Sequence, residues 1–248
     1  MSQITANASS PTTQYQEASD DALTHSLKTI AVAYHYNHWI FDTIRSFIGE
    51  TVLEVGAGIG NITQFLLNAK RIVCIEPVDV FYQYLTTKFI DHRNVSVFPL
   101  AIEECIDSGI IGGECDTVLC VNVLEHLKDD VAALKRMRTM MRPGGRIVVF
   151  VPGMPQIYGK VDEALGHYRR YSVSTLKKAF ADAGITPVHA RYMNMCGAIG
   201  WWWHGCVRGC TRIPTSGARI FNKMVPILSA LERLLPIMFG QSVYCVGK

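Results

Sequence analysis

Apolar residues recur along this chain in short runs separated by amphipathic stretches. Val52 to Val55, Ile72 to Ile75, Val95 to Phe98, Asp116 to Val121 and Arg146 to Val151 are runs of strand length. Asp116 to Val121 is mostly apolar, which suits a strand buried on both faces. Between the runs, Asn61 to Ala69, Asp79 to Phe89 and Lys128 to Met141 read as helices, with Asp79 as the expected N-cap of the second. Arg142-Pro143-Gly144-Gly145 reads as a turn before the fifth strand. Strands alternating with helices predict an α/β fold: a doubly wound, mostly parallel sheet with helices on both faces. Ligands of such sheets sit at the carboxyl ends of the strands, where the strand order reverses.

The flanks extend this picture. Asp20 to Phe47 is predicted as a helix that stops at Gly49, and it carries an aromatic and polar cluster from Ala33 to Trp39. The first nineteen residues are rich in Ser, Thr, Gln, Asn and Ala and lack the features of a signal peptide, so a flexible tail is expected. After the fifth strand, Ser172 N-caps a helix to Ala183, Ile185 to Tyr192 is a sixth strand, and Ser242 to Val246 a last one. Gly197 to Phe239 is an apolar, helical insertion. The expected organisation is a tail (1–19) and a single domain (20–248): a helical cover (20–48), a cofactor-binding core (49–196), an insertion or lid (197–240) and the final strand (241–248).

The first strand and its turn read VLEVGAGIGN from Val52 to Asn61, and IVCIEP follows from Ile72 to Pro77. Gly56, Gly58 and Gly60 form G-x-G-x-G, whereas a dinucleotide site needs G-x-G-x-x-G; the third small residue is replaced by Asn61. Glu54, inside the strand, suits a cationic ligand better than a pyrophosphate. Glu76 ends the second strand with two oxygens for two vicinal hydroxyls, and hydrogen bonds to a charged acceptor contribute roughly 1.5–3 kcal/mol. Glu54 to Gly60, Glu76, Ala101 and Asn122 all fall at strand ends and converge on one crevice.

This pattern resembles motif I of the class I S-adenosylmethionine-dependent methyltransferases, and the resemblance runs from about Tyr34 to Lys248. It implies a Rossmann-like sheet whose last strand is antiparallel. It also implies S-adenosyl-L-methionine as cofactor, S-adenosyl-L-homocysteine as product, and methyl transfer to a small or amphipathic molecule. The cofactor contacts it implies are Tyr36 and Asn37 from the helix before the core, Glu54, Gly56, Ala57, Gly58, Gly60, Glu76 and Pro77. Ala101 and Ile102 would flank adenine, and Asn122 and Val123 the methionine end.

The segment DEALGHYRRY, Asp162 to Tyr171, is similar to a GHYRRY-type segment in one broad subgroup. His167 is the catalytic candidate, because an imidazole titrates near neutrality and can remove a substrate proton. Arg169 and Arg170 suit a carboxylate or phosphate, while Tyr168 and Tyr171 suit stacking or placing a hydroxyl. The alternative is that Asp162 pairs with an arginine and braces the loop. Trp201, Trp202 and Trp203 point about 100° apart on a helix, and Trp201 is taken as the one that roofs the substrate. Glu125 is expected to favour a helix N-terminus, and His126 to pack there.

A net charge of +3 without a long Lys/Arg run argues against nucleic acid as partner. No apolar span is long enough to cross a bilayer. Eight cysteines without paired spacing indicate reduced thiols and a cytoplasmic location; Cys206 and Cys210 complete no zinc set, and no metal is expected. The partner expected is a small molecule with an apolar part, with a homodimer through the insertion as a further option. Three rival functions remain: a catalytically idle domain that binds S-adenosylmethionine and acts through partners, an NAD(P)-dependent oxidoreductase, and an enzyme of the same fold and cofactor that adds cyclisation after methylation.

Overall fold

The computed structural model describes residues 33–105, 108–110, 112–212 and 214–248. The tail at 1–19 and the first part of the predicted cover helix, up to residue 32, lie outside the described residues. The remainder of that helix is α1 (Tyr34–Ile44), which ends in a 3-10 turn, Arg45–Phe47.

Seven strands form one sheet: β1 (Thr51–Val55), β2 (Arg71–Ile75), β3 (Val95–Phe98), β4 (Cys115–Val121), β5 (Met141–Pro152), β6 (Pro187–Met193) and β7 (Ser242–Gly247). Their order is β3-β2-β1-β4-β5-β7-β6. The first five pair in parallel, and β7 runs antiparallel to both β5 and β6. From β1 the chain winds outward through β2 and β3, then returns to β4 on the other side of β1. The strand order therefore reverses between β1 and β4, which opens a crevice at their carboxyl ends.

Side-chain alternation sends each strand's residues to both faces. Leu53, Val55, Val118, Ile147 and Val149 pack beneath α3 (Asp130–Met140) and α5 (Val173–Asp182), against Leu134, Met137, Leu176 and Phe180. Val52, Ile72, Leu119, Val148 and Phe150 pack on the other face against Trp39, Ile40 and Ile44 of α1 and Val225 of α7 (Thr215–Leu234). At roughly 1.5–3 kcal/mol for each fully buried large apolar side chain, these two layers dominate the folding energy. The opposite face of α7 leaves Ile220, Met224, Ile227, Leu231 and Leu234 exposed. No described helix is long and apolar enough to cross a membrane.

The structure corrects several predicted elements. Asn61 to Ala69 is not an α-helix; only Thr63–Phe65 makes a 3-10 turn. Side chains satisfy its backbone instead of an i to i−4 ladder. Asn94 donates to the Leu67 and Ala69 carbonyls at 3.0 and 2.8 Å, and just before the segment Lys88 donates to the Ile59 carbonyl at 3.0 Å. The next helix, α2 (Asp79–Lys88), is N-capped by Val78, and Asp79 lies in its first turn, accepting from Gln83. Helix α3 starts at Asp130 rather than Lys128, because Asp129 caps the Ala132 N–H at 2.8 Å. The turn at Arg142 to Gly145 is absorbed into β5 as an irregularity: Cys115 pairs with Met141 and Thr117 with Arg146. The Ser172 cap on α5 and the antiparallel last strand form as expected.

Candidate active site

The crevice has a volume of about 420 Å³, within the range of small-molecule sites. Its floor is the glycine turn. Gly56 and Gly58 have φ of +67° and +56°, conformations that side chains disfavour. A Cβ on Gly56 would lie 2.4 Å from Val123 Cγ2, so the turn and the end of β4 meet as closely as bare backbone allows. The Gly58 N–H donates to Glu76 Oε2 at 2.8 Å, and the Val78 N–H to Oε1 at 2.9 Å. Both oxygens are thereby fixed in direction while each keeps a lone pair for a ligand. Burial pushes the Glu76 carboxyl up to about 6, with those two N–H groups pulling the other way.

Ala101 and Ile102 form a buried wall, and Pro77, Val78, Phe81 and Leu100 complete that end. Opposite, Asn122 and Val123 leave β4. Asn122 holds φ +53° with its N–H bonded to the Phe150 carbonyl at 2.8 Å. A non-glycine residue in that region is strained, and such strain concentrates at functional sites.

The far end is built from β4's exit and from the segment after β5. His126, His167, Gly166 and Tyr168 line it. His167 Nδ1 bonds Asp162 Oδ1 at 2.8 Å, which leaves Nε2 on the free side of the ring. The His126 ring packs edge-on to it, with centroids 4.7 Å apart. Burial, then the neighbouring His167, lowers the His126 pKa to about 3, so this ring is neutral. Behind them Glu125 is fully buried and neither of its oxygens has a hydrogen-bond partner. Burial pushes its pKa up to about 7, against the pull of His167.

Asp162 organises this end. It accepts from His167, Arg170 Nη1 at 3.0 Å, Trp201 Nε1 at 3.0 Å and the Gly159 N–H at 3.0 Å. Burial alone would raise its pKa, but the His167 bond and the Arg170 charge hold it below the usual value. Several expected substrate contacts are thereby corrected. Arg170 is buried and spends its donors on Asp162 and the Gly153 and Gln241 carbonyls, so it cannot clamp a ligand. Trp201 lies against the Arg170 guanidinium, 5.0 Å from ring centroid to charge, and braces it; Trp202 and Trp203 are exposed. They follow Trp201 in a π-helical turn, Trp202–Val207. Arg169 pairs with Asp130 at 3.1 Å, and the buried Tyr171 donates to the same carboxylate at 2.8 Å. Of the expected substrate set, only Tyr168 lines the crevice.

Of the expected cofactor set, Gly56, Gly58, Glu76, Pro77, Ala101, Ile102, Asn122 and Val123 line it. Tyr36, Asn37, Glu54, Ala57 and Gly60 do not. Tyr36 bonds Ser242 at 3.3 Å and stacks edge-on to Phe221, while Asn37 is buried in α1. Glu54 turns to the opposite sheet face, where it accepts from Thr63 at 2.7 Å; burial raises its pKa to about 7. Ala57 packs in the core on that face, and Gly60 lies against Phe89 and Leu85. Sequence reasoning set Glu125 and His126 aside. Their place directly after β4, at the same strand ends as Asn122, was the available signal.

Among the described residues no Lys or Arg lines the crevice, and no α-helix begins behind the glycine turn. A pyrophosphate needs one or the other, whereas a ribose diol with a cationic group suits a carboxylate and a neutral wall. A family model described as "Methyltransferase domain" matches residues 53–147, which span the glycine turn, Glu76 and Asn122. Residues 53–147 thus match a methyltransferase domain, and the sheet has the class I methyltransferase fold. A tRNA U34 carboxymethyltransferase of Alteromonas mediterranea is 27% identical to this chain over 45% of it and 36% of that protein. A thiol S-methyltransferase of Homo sapiens is 26% identical over 48% and 51%. The matches thus span between about a third and a half of those relatives' lengths. Among solved structures, the geranyl diphosphate C-methyltransferase of Streptomyces coelicolor A3(2) shares the fold, with a TM-score of 0.58 and 12% identity over 84% of this chain and 75% of that one.

Proposed function

We propose that this protein transfers a methyl group from S-adenosylmethionine to a small-molecule nucleophile held between Asn122 and His167. The observation that carries this reading is the division of one crevice into two ends. Glu76, Ala101 and Ile102 make a nucleoside-shaped end, while His126, His167 and Tyr168 make a polar end across the glycine turn. When bound, S-adenosylmethionine supplies a methyl carbon already activated by its sulfonium. Glu76 accepts the ribose hydroxyls, Ala101 and Ile102 flank the adenine, and the Asn122 amide accepts from the methionine ammonium. Gly56 and Gly58 let the backbone approach closely. What the protein adds is alignment and exclusion of water, effects of about 7–11 kcal/mol when complete.

His167 is the proposed catalytic residue. Asp162 fixes its tautomer through Nδ1, so that Nε2 is the nitrogen offered to the acceptor. An acceptor with a hydroxyl or thiol gives its proton at this end. The modest volume of the crevice and the thiol S-methyltransferase relative support a small acceptor over a macromolecule. All eight cysteines are free thiols, which supports a reducing compartment such as the cytoplasm.

The test is transfer of labelled methyl from S-adenosylmethionine to pooled small phenols, thiols and hydroxy acids. Incorporation into at least one pool is expected, and His167→Ala should lose turnover while binding S-adenosylhomocysteine as before. Transfer at the wild-type rate by that variant would remove His167 from the chemistry.

A further inference from the structure

We infer that Glu125, His126 and His167 form a binding site for a divalent transition-series cation, with Zn²⁺ as the representative ion. Their three ligand atoms lie within 4.8 Å of one another. Tetrahedral ligands about 2.1 Å from a zinc ion stand about 3.4 Å apart, so closure draws these atoms together by up to about 1.4 Å through side-chain torsions. Two imidazoles and one carboxylate are a donor set that suits zinc and its neighbours better than the all-oxygen cations.

The independent observation is Glu125. It is fully buried, and both its oxygens lack a hydrogen-bond partner. A buried unpaired carboxyl costs several kcal/mol unless something neutralises it, and among the described residues no side chain hydrogen-bonds to it. Arg170, the nearest buried cation, is bonded to Asp162 at 3.0 Å and to two carbonyls. A carboxyl without a hydrogen-bond partner is thus left beside two imidazoles.

The surroundings also have the form of a metal site's outer shell. His167 Nδ1 is held by Asp162, and the Gly166 carbonyl takes a hydrogen bond from the His126 ring. Each ring therefore has one nitrogen engaged and one to offer. Three protein ligands leave a coordination position open, as catalytic sites do, and His126 and His167 border the crevice. An acceptor oxygen or sulfur there would be held and made more acidic by the ion. His167 then meets the reacting end through the ion rather than by taking the proton itself. That role rests on the proposed methyl transfer; binding of the ion does not.

The experiment is equilibrium dialysis of the full chain against Zn²⁺ without methyl donor, followed by metal analysis and by substitution with Co²⁺. We expect one ion per chain and a Co²⁺ spectrum free of thiolate charge-transfer bands. Glu125→Gln and His126→Ala should each weaken binding at least tenfold, and Cys206→Ser with Cys210→Ser should not. Affinity for S-adenosylhomocysteine, measured in parallel, verifies that the variants are folded. Less than one ion per chain, binding unchanged in Glu125→Gln, or binding lost with the cysteines would overturn the inference. Zinc binding without S-adenosylhomocysteine binding would instead sink the proposed function and leave the metal site standing.

Discussion

Removing the Glu76 carboxylate should weaken cofactor binding by an amount the geometry sets. Its oxygens are aimed by the Gly58 and Val78 N–H groups at 2.8 and 2.9 Å, and the remaining lone pairs face the crevice. A hydrogen bond to a charged acceptor contributes about 1.5–3 kcal/mol, so Glu76→Ala should raise the Kd for S-adenosylhomocysteine roughly ten- to 140-fold. The same residue predicts a pH dependence. Burial places its pKa at about 6, and only the ionised form offers both oxygens. Affinity should therefore fall as pH is lowered, by a factor of about eleven at pH 5 and about 1.1 at pH 7. Glu76→Gln should be flat across that window. Calorimetric titration at pH 5, 6, 7 and 8 measures both effects, with far-UV circular dichroism to verify folding. Affinity within twofold of wild type in Glu76→Ala, or a wild-type pH profile in Glu76→Gln, would refute the reasoning.

Glu54 gives a stability prediction of defined sign. Its folded pKa of about 7 lies above the ordinary 4.5, so the folded state holds a proton that the unfolded chain has lost. Stability from this group is full below pH 4.5 and is lost as pH rises to 7, about 3 kcal/mol in all; urea unfolding of Glu54→Gln should show that much less pH dependence. Gly56→Ala should lower both Tm and cofactor affinity, because its Cβ meets Val123 at 2.4 Å. Gly144→Ala, with φ +78° and open space around it, should carry only the backbone cost of about 1–2 kcal/mol and leave cofactor titrations unchanged. Asp162→Asn leaves Arg170 buried without its charge partner and should cost about 3–5 kcal/mol in urea unfolding, whereas Trp201→Phe, which loses one hydrogen bond, should cost about 1 kcal/mol.

The sheet was legible because its central strands are buried and written as nearly unbroken apolar runs; even the partly exposed edge strand β3 matches its predicted bounds residue for residue. The crevice was legible for a topological reason, since strand ends can be placed from strand positions alone. What failed depended on side chains that bond at a distance. Nothing local to Asn61–Ala69 shows that Asn94 will take its Leu67 and Ala69 carbonyls. In the same way, Arg169, Arg170 and Tyr171 have the composition of an anion clamp, but their partners Asp130, Gly153 and Gln241 come from other elements. Pairing of Asp162 with an arginine is the alternative reading of this segment, and Arg170 is the arginine that takes it. Glu125 and His126 were set aside because His167, 41 residues beyond His126, gives them meaning only once the chain has folded.

The most direct test is parallel calorimetric titration of the full chain with S-adenosylmethionine, S-adenosylhomocysteine and NAD. Saturable one-to-one binding of both adenosyl ligands, lost in Glu76→Ala, with no response to NAD, is the predicted result. Binding of NAD, or no binding of either adenosyl ligand, would contradict it.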